Sequence, residues 1–236
     1  MNKLLYPLCC LVAMVASPAN AREPSFVSAE QTHVLLILPT PPAADSEKTK
    51  TELAKLHRIE AARTKEQSDQ AMADDKNETI FIYRNVLGAM FTPEAFPITA
   101  AFSARVKNDE GINATPAKDS FQRVRPYNLD KTLHPICATK TKNDSYPSGH
   151  TTAGYILALA LIDMVPEKRD AILARADDYA NNRLICGVHF PSDLQASKLL
   201  AYSIHSVMGI NPQYQKEMTA ARNELRQALN LSLASN

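Results

Sequence analysis

Residues 148–165 read SGHTTAGYILALALIDMV, a stretch that is apolar on nearly every side of a helix once its polar start is passed. A helix without a polar face belongs inside a protein or a membrane. This one is shorter than the ~20 apolar residues of a membrane span, and Ser148-Gly149-His150 make its start polar. It therefore reads as the buried central helix of a bundle.

The flanking segments keep the helical period and break it with charge. Glu167–Ile185 places Ile172, Ala176, Tyr179 and Arg183 on one stripe, so the cation continues an apolar line. Ser192–Met208 places Asp193, Ala196, Leu200, Ile204 and Val207 on one line, with Ser192 as the expected cap. Upstream, Lys118, Gln122 and Arg125 fall at i, i+4 and i+7, which puts both cations on one predicted helix face. Farther back, Asn108–Thr115 reads as loop, and Pro93–Lys107 as a helix opening with proline in its first turn. Glu78–Met90 forms another helical patch. Asp45 or Ser46 should cap a polar, exposed helical hairpin running to about Lys76. An apolar run over residues 33–44 ends in a proline-rich turn. Hairpin signals and sustained alternation are missing from the sequence. The expected fold is all-α, a single-domain helical bundle over residues 22–236 around one long buried central helix.

The chain has 236 residues, with 26 Lys and Arg against 25 Asp and Glu, a net formal charge of +1. That balance excludes a strongly basic nucleic-acid binder. Met1–Ala21 has one cation, Lys3, ahead of an apolar run, and ends Ala19-Asn20-Ala21, the pattern of a cleaved signal peptide. Its removal leaves a formally neutral chain with two cysteines, Cys137 and Cys186. An oxidising compartment favours a disulfide between them, two buried thiols being the alternative.

Two short constellations point to chemistry. Tyr146-Pro147-Ser148-Gly149-His150 opens the apolar helix, whose N-terminus offers free N–H groups to an anion. By itself this could be no more than a cap. In Arg183-Leu-Ile-Cys-Gly-Val-His189-Phe-Pro-Ser-Asp193 a carboxylate follows a histidine by four residues. It can hold one ring nitrogen as N–H and leave the other bare, the state of a nucleophile or base; a histidine bonded to a helix-capping Asp is the bland reading. Inward Lys118, Arg125 and Arg183 make sense where an anion fills the space between them. Taken singly, each could instead snorkel or meet a surface carboxylate. Arg123 reads as a surface charge, Tyr146 and Phe190 as lining a pocket mouth, and His33, His57, His134 and His205 as surface or cap residues.

Together the motifs Lys118-x6-Arg125-Pro126, Pro147-Ser148-Gly149-His150 and Asn182-Arg183-x5-His189-x3-Asp193 resemble the signature of the PAP2 superfamily, with Asn182 where serine is usual. Within that superfamily the chain is similar to the soluble bacterial class A non-specific acid phosphatases, over roughly residues 33–208 and most closely over 115–208. The resemblance implies hydrolysis of phosphate monoesters with an acidic optimum and broad specificity. It makes His189 the nucleophile that becomes phosphohistidine, Asp193 its orienting carboxylate and His150 the general acid. It assigns Lys118, Arg125, Ser148, Gly149 and Arg183 to phosphate binding.

It further implies no cofactor and no metal, small phosphorylated substrates, inhibition by vanadate-type oxyanions, and a periplasmic or secreted enzyme without a membrane span after processing. Nucleic acid is no partner, and a homo-oligomer is compatible with the family. Competing expectations are a vanadium-haloperoxidase-like oxidase, a catalytically silent phosphate-binding relative, and a lipid phosphatase held at a membrane by an uncleaved N-terminus.

Overall fold

A computed structural model describes residues 23–232; the Met1–Ala21 leader lies outside them. Seven helices longer than ten residues are found among the described residues: α1 (Glu47–Ala62), α2 (Lys65–Asp75), α3 (Pro97–Phe121), α4 (Gly149–Met164), α5 (Arg169–Ile185), α6 (Pro191–Met208) and α7 (Pro212–Ala228). Short turns of helix at Ala29–Thr32, Val34–Ile37, Ile80–Tyr83, Arg84–Leu87 and Pro126–Leu129 link or flank them. No strand occurs among the described residues, so the all-α expectation holds.

The stretch 148–165 forms the axis. From Thr151 to Leu161 every residue of α4 is buried, and α3, α5, α6 and α7 pack around it. Ser148 is its N-cap, accepting the N–H of Thr151 at 3.3 Å. The predicted stripes on α5 and α6 also face inward: Ile172, Ala176, Tyr179, Arg183, Asp193, Ala196, Leu200 and Ile204 are all buried. The cap of α6 differs from expectation. Phe190 occupies the cap position and donates its N–H to Asp193 (2.8 Å), while Ser192 turns to Glu52.

Two further corrections concern the first half. The expected break at 108–115 is absent, because α3 runs unbroken through it. Its polar residues there serve tertiary contacts. Asp109 accepts the N–H groups of Ser25, Phe26 and Val27 at 2.6–2.9 Å, and Asn113 donates to the Val27 carbonyl at 3.0 Å. They satisfy the backbone of an incoming segment that has no ladder of its own. The 47–75 hairpin, capped by Ser46 as expected, is less exposed than its composition suggests, for Thr49, Glu52, Leu56, Ala71 and Asp74 are buried.

Pro212–Ala228, in the part of the chain after Gly209 that carries no motif, forms α7 against α3 and α4. Glu224 of α7 accepts the N–H groups of Ile98 (2.9 Å) and Thr99 (2.8 Å), and so closes the N-terminus of α3. A carboxylate suits the positive end of a helix.

Gly154 sets the approach of α5 to α4. A Cβ there would stand 2.6 Å from Cδ1 of Tyr179, a buried ring held by its hydroxyl donating to the Asn77 carbonyl at 2.6 Å. Gly154→Ala gains about 1 kcal/mol of helix propensity against about 1–3 kcal/mol of overpacking. The expected net loss lowers the thermal midpoint by roughly 2–6 °C. An unchanged or raised midpoint would mean that Tyr179 gives way freely.

Candidate active site

The polar N-terminus of α4, the loop between α5 and α6, the turn after α3 and the end of α2 meet at one cavity of ≈ 300 Å³. Lys118, Arg125, Gly149, His150, Arg183 and His189 all line it, so segments far apart in sequence share one space.

His189 follows Gly187, whose φ of +74° turns the chain sharply out of α5. The same turn is tied to residues 135–137: Cys137 and Cys186 form a disulfide (Cα–Cα 5.2 Å), and the Ile136 N–H donates to the Cys186 carbonyl at 3.1 Å. The imidazole of His189 is buried. Its Nδ1 lies 2.8 Å from the Ser145 carbonyl and 3.3 Å from Oδ2 of Asp193. A carbonyl can only accept, so Nδ1 carries the proton and Nε2 is left bare. Arg125 Nη1 stands 3.2 Å from that Nε2 and also donates to the Val188 carbonyl at 3.1 Å. The expected carboxylate thus shares the orienting role with a backbone carbonyl that makes the shorter bond. Burial, followed by the charges of Arg125, Arg183 and Lys118, pushes the imidazole well below its usual range and keeps it neutral.

His150 sits in the opposite electrostatic setting. Its Nδ1 is 2.8 Å from Glu78 Oε1, and its Nε2 is 3.1 Å from the Asp75 carbonyl. Burial alone would raise Glu78, but the bond to His150 and the nearby Lys107 outweigh it and hold the carboxyl well below the carboxylate range. Both ring nitrogens therefore face acceptors, which suits the doubly protonated ring. The imidazole also stacks on Tyr179, with centroids 6.2 Å apart.

The cations are held by oxygens around the cavity. Arg183 Nη1 donates to Asp75 (2.6 Å), and Arg125 Nε donates to Asp144 (2.7 Å). Lys118 donates to the carbonyls of Asp144 (2.9 Å) and Pro147 (2.6 Å). Arg183 Nε is buried with no acceptor among the described residues, a donor that can serve a ligand oxygen. Burial lowers Lys118 to about 8, against the opposing pull of Asp144 and Glu110. Burial raises Glu110, which also lines the cavity, to about 7. From pH 8 down to 6 the site therefore becomes more positive.

Several sequence expectations need correction. Lys118 and Arg125 do not share a helix face. Helix α3 ends at Phe121, Gln122 is left-handed (φ 43°), and Arg125 reaches the cavity as the cap of the next short turn. The reversal sends Arg123 inward as well. It is no surface charge but is buried against Asp193 (2.6 Å) and Glu52 (3.1 Å).

Ser148 does not line the cavity. Its hydroxyl caps α4, and its N–H donates to Ser197 at 2.8 Å. Tyr146 and Phe190 are buried away from the cavity; Tyr146 donates to the Pro39 carbonyl at 2.6 Å. Asn182 likewise turns away, donating to Asp74 at 2.7 Å beside Arg175. Asn182 thus ties α5 to α2 and does not line the cavity. His57, His134 and His205 pair with Asp130, Glu60 and Asp163, and His33 caps the 29–32 turn.

Among the described residues Asp75, Cys137 and Cys186 bring ligand atoms close enough for a metal, but the two sulfurs are bonded to each other. Glu52, Asp75, Glu78, Arg123 and Ser145 escaped the sequence reading. For the four charged ones the one sequence-level signal is charge within segments that pack; Ser145 carries none.

Residues 98–216 match the PAP2 superfamily. The chain belongs to the PAP2 superfamily. A non-specific acid phosphatase of Providencia stuartii is 31% identical over 199 residues, covering 80% of this chain and 79% of the relative. One of Salmonella typhimurium is 30% identical over 237 residues, covering 97% and 94%. The PAP2 chain thus sides with bacterial acid phosphatases, and the expectation of an enzyme of that class is met. In fold it is similar to a transmembrane PAP2 type phosphatidylglycerolphosphate phosphatase from Bacillus subtilis, with a TM-score of 0.51 at 15% identity over 75% of this chain and 90% of that one. No helix among the described residues is long and apolar enough to cross a membrane.

The geometry predicts one protonated and one bare nitrogen on His189 at pH 6, slightly below the ordinary histidine range of about 6.5. Nitrogen chemical shifts of the labelled ring should show that pair, and two protonated nitrogens at that pH would contradict it.

Proposed function

We propose that the chain hydrolyses phosphate monoesters in two in-line displacements at His189. The observation that carries this reading is the bare Nε2 of His189, fixed by its Nδ1 contacts, at a cavity whose lining includes Lys118, Arg125 and Arg183. The Nε2 lone pair attacks phosphorus, the P–O ester bond breaks, and its electron pair leaves on the alcohol oxygen, which takes a proton from His150. Water then attacks the phosphohistidine and His150 recovers its proton. The P–N bond breaks back to Nε2, and the products are the alcohol and inorganic phosphate.

Phosphoryl transfer depends chiefly on positioning and on charge at the equatorial oxygens. Arg125, Arg183 and Lys118 supply that charge, the orphaned Nε of Arg183 supplies a further donor, and the N-terminus of α4 faces the same oxygens at Gly149. The side chains therefore provide what a metal would otherwise provide, and activity should persist in chelator. Two histidines with opposed surroundings divide the work of nucleophile and acid. Asp75 and Asp144, now on Arg183 and Arg125, are the groups with which an entering phosphate shares its cations.

Small phosphorylated compounds suit a cavity of ≈ 300 Å³, and vanadate-type oxyanions should inhibit. Export to the periplasm or medium fits the leader sequence and the Cys137–Cys186 bridge.

Hydrolysis of p-nitrophenyl phosphate at pH 5–6 in chelator is expected for the wild type, with a loss of about 10³-fold or more in His189→Ala. Equal rates in the two would overturn the nucleophile. Sulfate, a dianion throughout the range, should bind about tenfold more weakly at pH 8.5 than at pH 6, as Glu110 gains a charge and Lys118 loses one. Titration calorimetry reads this directly; affinity independent of pH would count against a charge-controlled site.

A further inference from the structure

Asp193 has no exposed surface and spends both oxygens on partners. Oδ2 accepts the Ser145 hydroxyl at 2.6 Å and the Phe190 N–H at 2.8 Å, and faces His189 Nδ1 at 3.3 Å. Oδ1 accepts from Arg123 Nη1 at 2.6 Å. That guanidinium lies over the Phe190 ring, 4.1 Å from its centroid, and also donates to the Ser192 hydroxyl (2.7 Å) and to Glu52 Oε2 (3.1 Å). Glu52, from α1, accepts the N–H of Ser192 at 2.9 Å and its hydroxyl at 2.8 Å. Glu52 and Arg123 are 3% and 7% exposed, and neither lines the cavity.

Burying a charge is costly, and a stable core is reached more easily with apolar side chains. Here two carboxylates surround one guanidinium, so the group holds one unbalanced negative charge while His189 is neutral. A ring that becomes positive on taking the phosphoryl group balances it. We propose that Glu52 and Arg123 are positioning residues that lock Asp193 with Oδ2 toward His189, and that their joint charge with Asp193 stabilises the positive ring of the phosphoenzyme. The inference rests on His189 as nucleophile.

Burial raises Asp193, and Arg123 is the leading opposing influence. The other charged or titratable groups around it are Glu52, His189, Tyr146 and Lys118. Without the guanidinium, Asp193 and His189 both take up protons at higher pH, so the acid limb of kcat moves up. Without the Glu52 charge the limb moves down. A purely structural role for the pair would shift neither limb.

The test compares wild type, Arg123→Met, Arg123→Lys, Glu52→Gln and His189→Ala with p-nitrophenyl phosphate across pH, alongside thermal midpoints. Arg123→Met should lose about 100-fold in kcat with KM within about threefold, since it removes no phosphate contact. Its acid limb should rise by about one pH unit, and Arg123→Lys should recover part of the rate. Glu52→Gln, which keeps shape and an oxygen toward Arg123, should lose about five- to tenfold with its acid limb lowered.

A folded Arg123→Met with wild-type kcat, or with raised KM and unchanged kcat, overturns the proposal. If Arg123→Met does not fold, a Glu52→Gln enzyme with wild-type kcat and an unmoved limb overturns it instead. His189→Ala as active as wild type shows that the nucleophile assignment has failed. An inactive His189→Ala beside unaltered Arg123 and Glu52 variants shows that only the positioning role has.

Discussion

Concentrated positive charge in a poorly solvated space is the constraint around which this protein is arranged. Lys118, Arg125 and Arg183 meet beside the N-terminus of α4, whose own dipole adds to them. Like charges so close cannot stand without counter-charges, and nearly every unusual polar contact nearby answers that need. Asp75 holds Arg183, Asp144 holds Arg125, Glu78 holds Lys107 and the Pro147 carbonyl holds Lys118. The neutrality of His189 follows from the same field, whereas both ring nitrogens of His150 face oxygens of Glu78 and Asp75 on the carboxylate side. The opposed surroundings of the two histidines are therefore a property of where they sit.

Much of the fold was legible because burial leaves a plain mark on a helix. The all-round apolar run of α4 and the stripes ending at Arg183 and Asp193 can be satisfied only inside a bundle. The misreadings arose where polarity had a second meaning. Asn108, Asp109 and Asn113 look like loop residues by composition, yet inside α3 they bind the backbone of residues 23–27. The α1–α2 hairpin looks solvated because its chain is mostly Lys, Glu, Gln and Ala, and its few buried carboxylates are indistinguishable in sequence from its many exposed ones. Helix α7 carries no motif; its place depends on tertiary contacts such as Glu224 against the start of α3.

The site divides in the same way. The cavity residues that sit in the motifs, Lys118, Arg125, Gly149, His150, Arg183 and His189, were legible, since their types and spacing are dictated by the chemistry; Asp75, Glu78 and Glu110, which line the same cavity, were not. Glu52 and Arg123, which stand behind the lining, were missed too. Extending the helical period past Phe121 gave Arg123 the wrong direction, because periodicity carries no signal for a left-handed residue at Gln122. The family pattern expects a ligand contact from Ser148, whereas its hydroxyl oxygen accepts the Thr151 N–H at the start of the helix that presents Gly149 and His150. Asp75 and Glu78 lie in a helix end and a loop with ordinary composition, and three-dimensional proximity alone gives them a role.

The left-handed link at Gln122 carries an evolutionary corollary. It turns one short strand of polypeptide so that Arg125 opens onto the cavity and Arg123, two places earlier, plugs into the framework behind Asp193. Two separate shells of the molecule are served by alternate teeth of the same rack. Point substitutions can drift elsewhere in the hairpins, but an insertion or deletion of one residue between Phe121 and Pro126 would mesh both teeth with the wrong gear at once. Length in this segment should accordingly be frozen more tightly than residue identity.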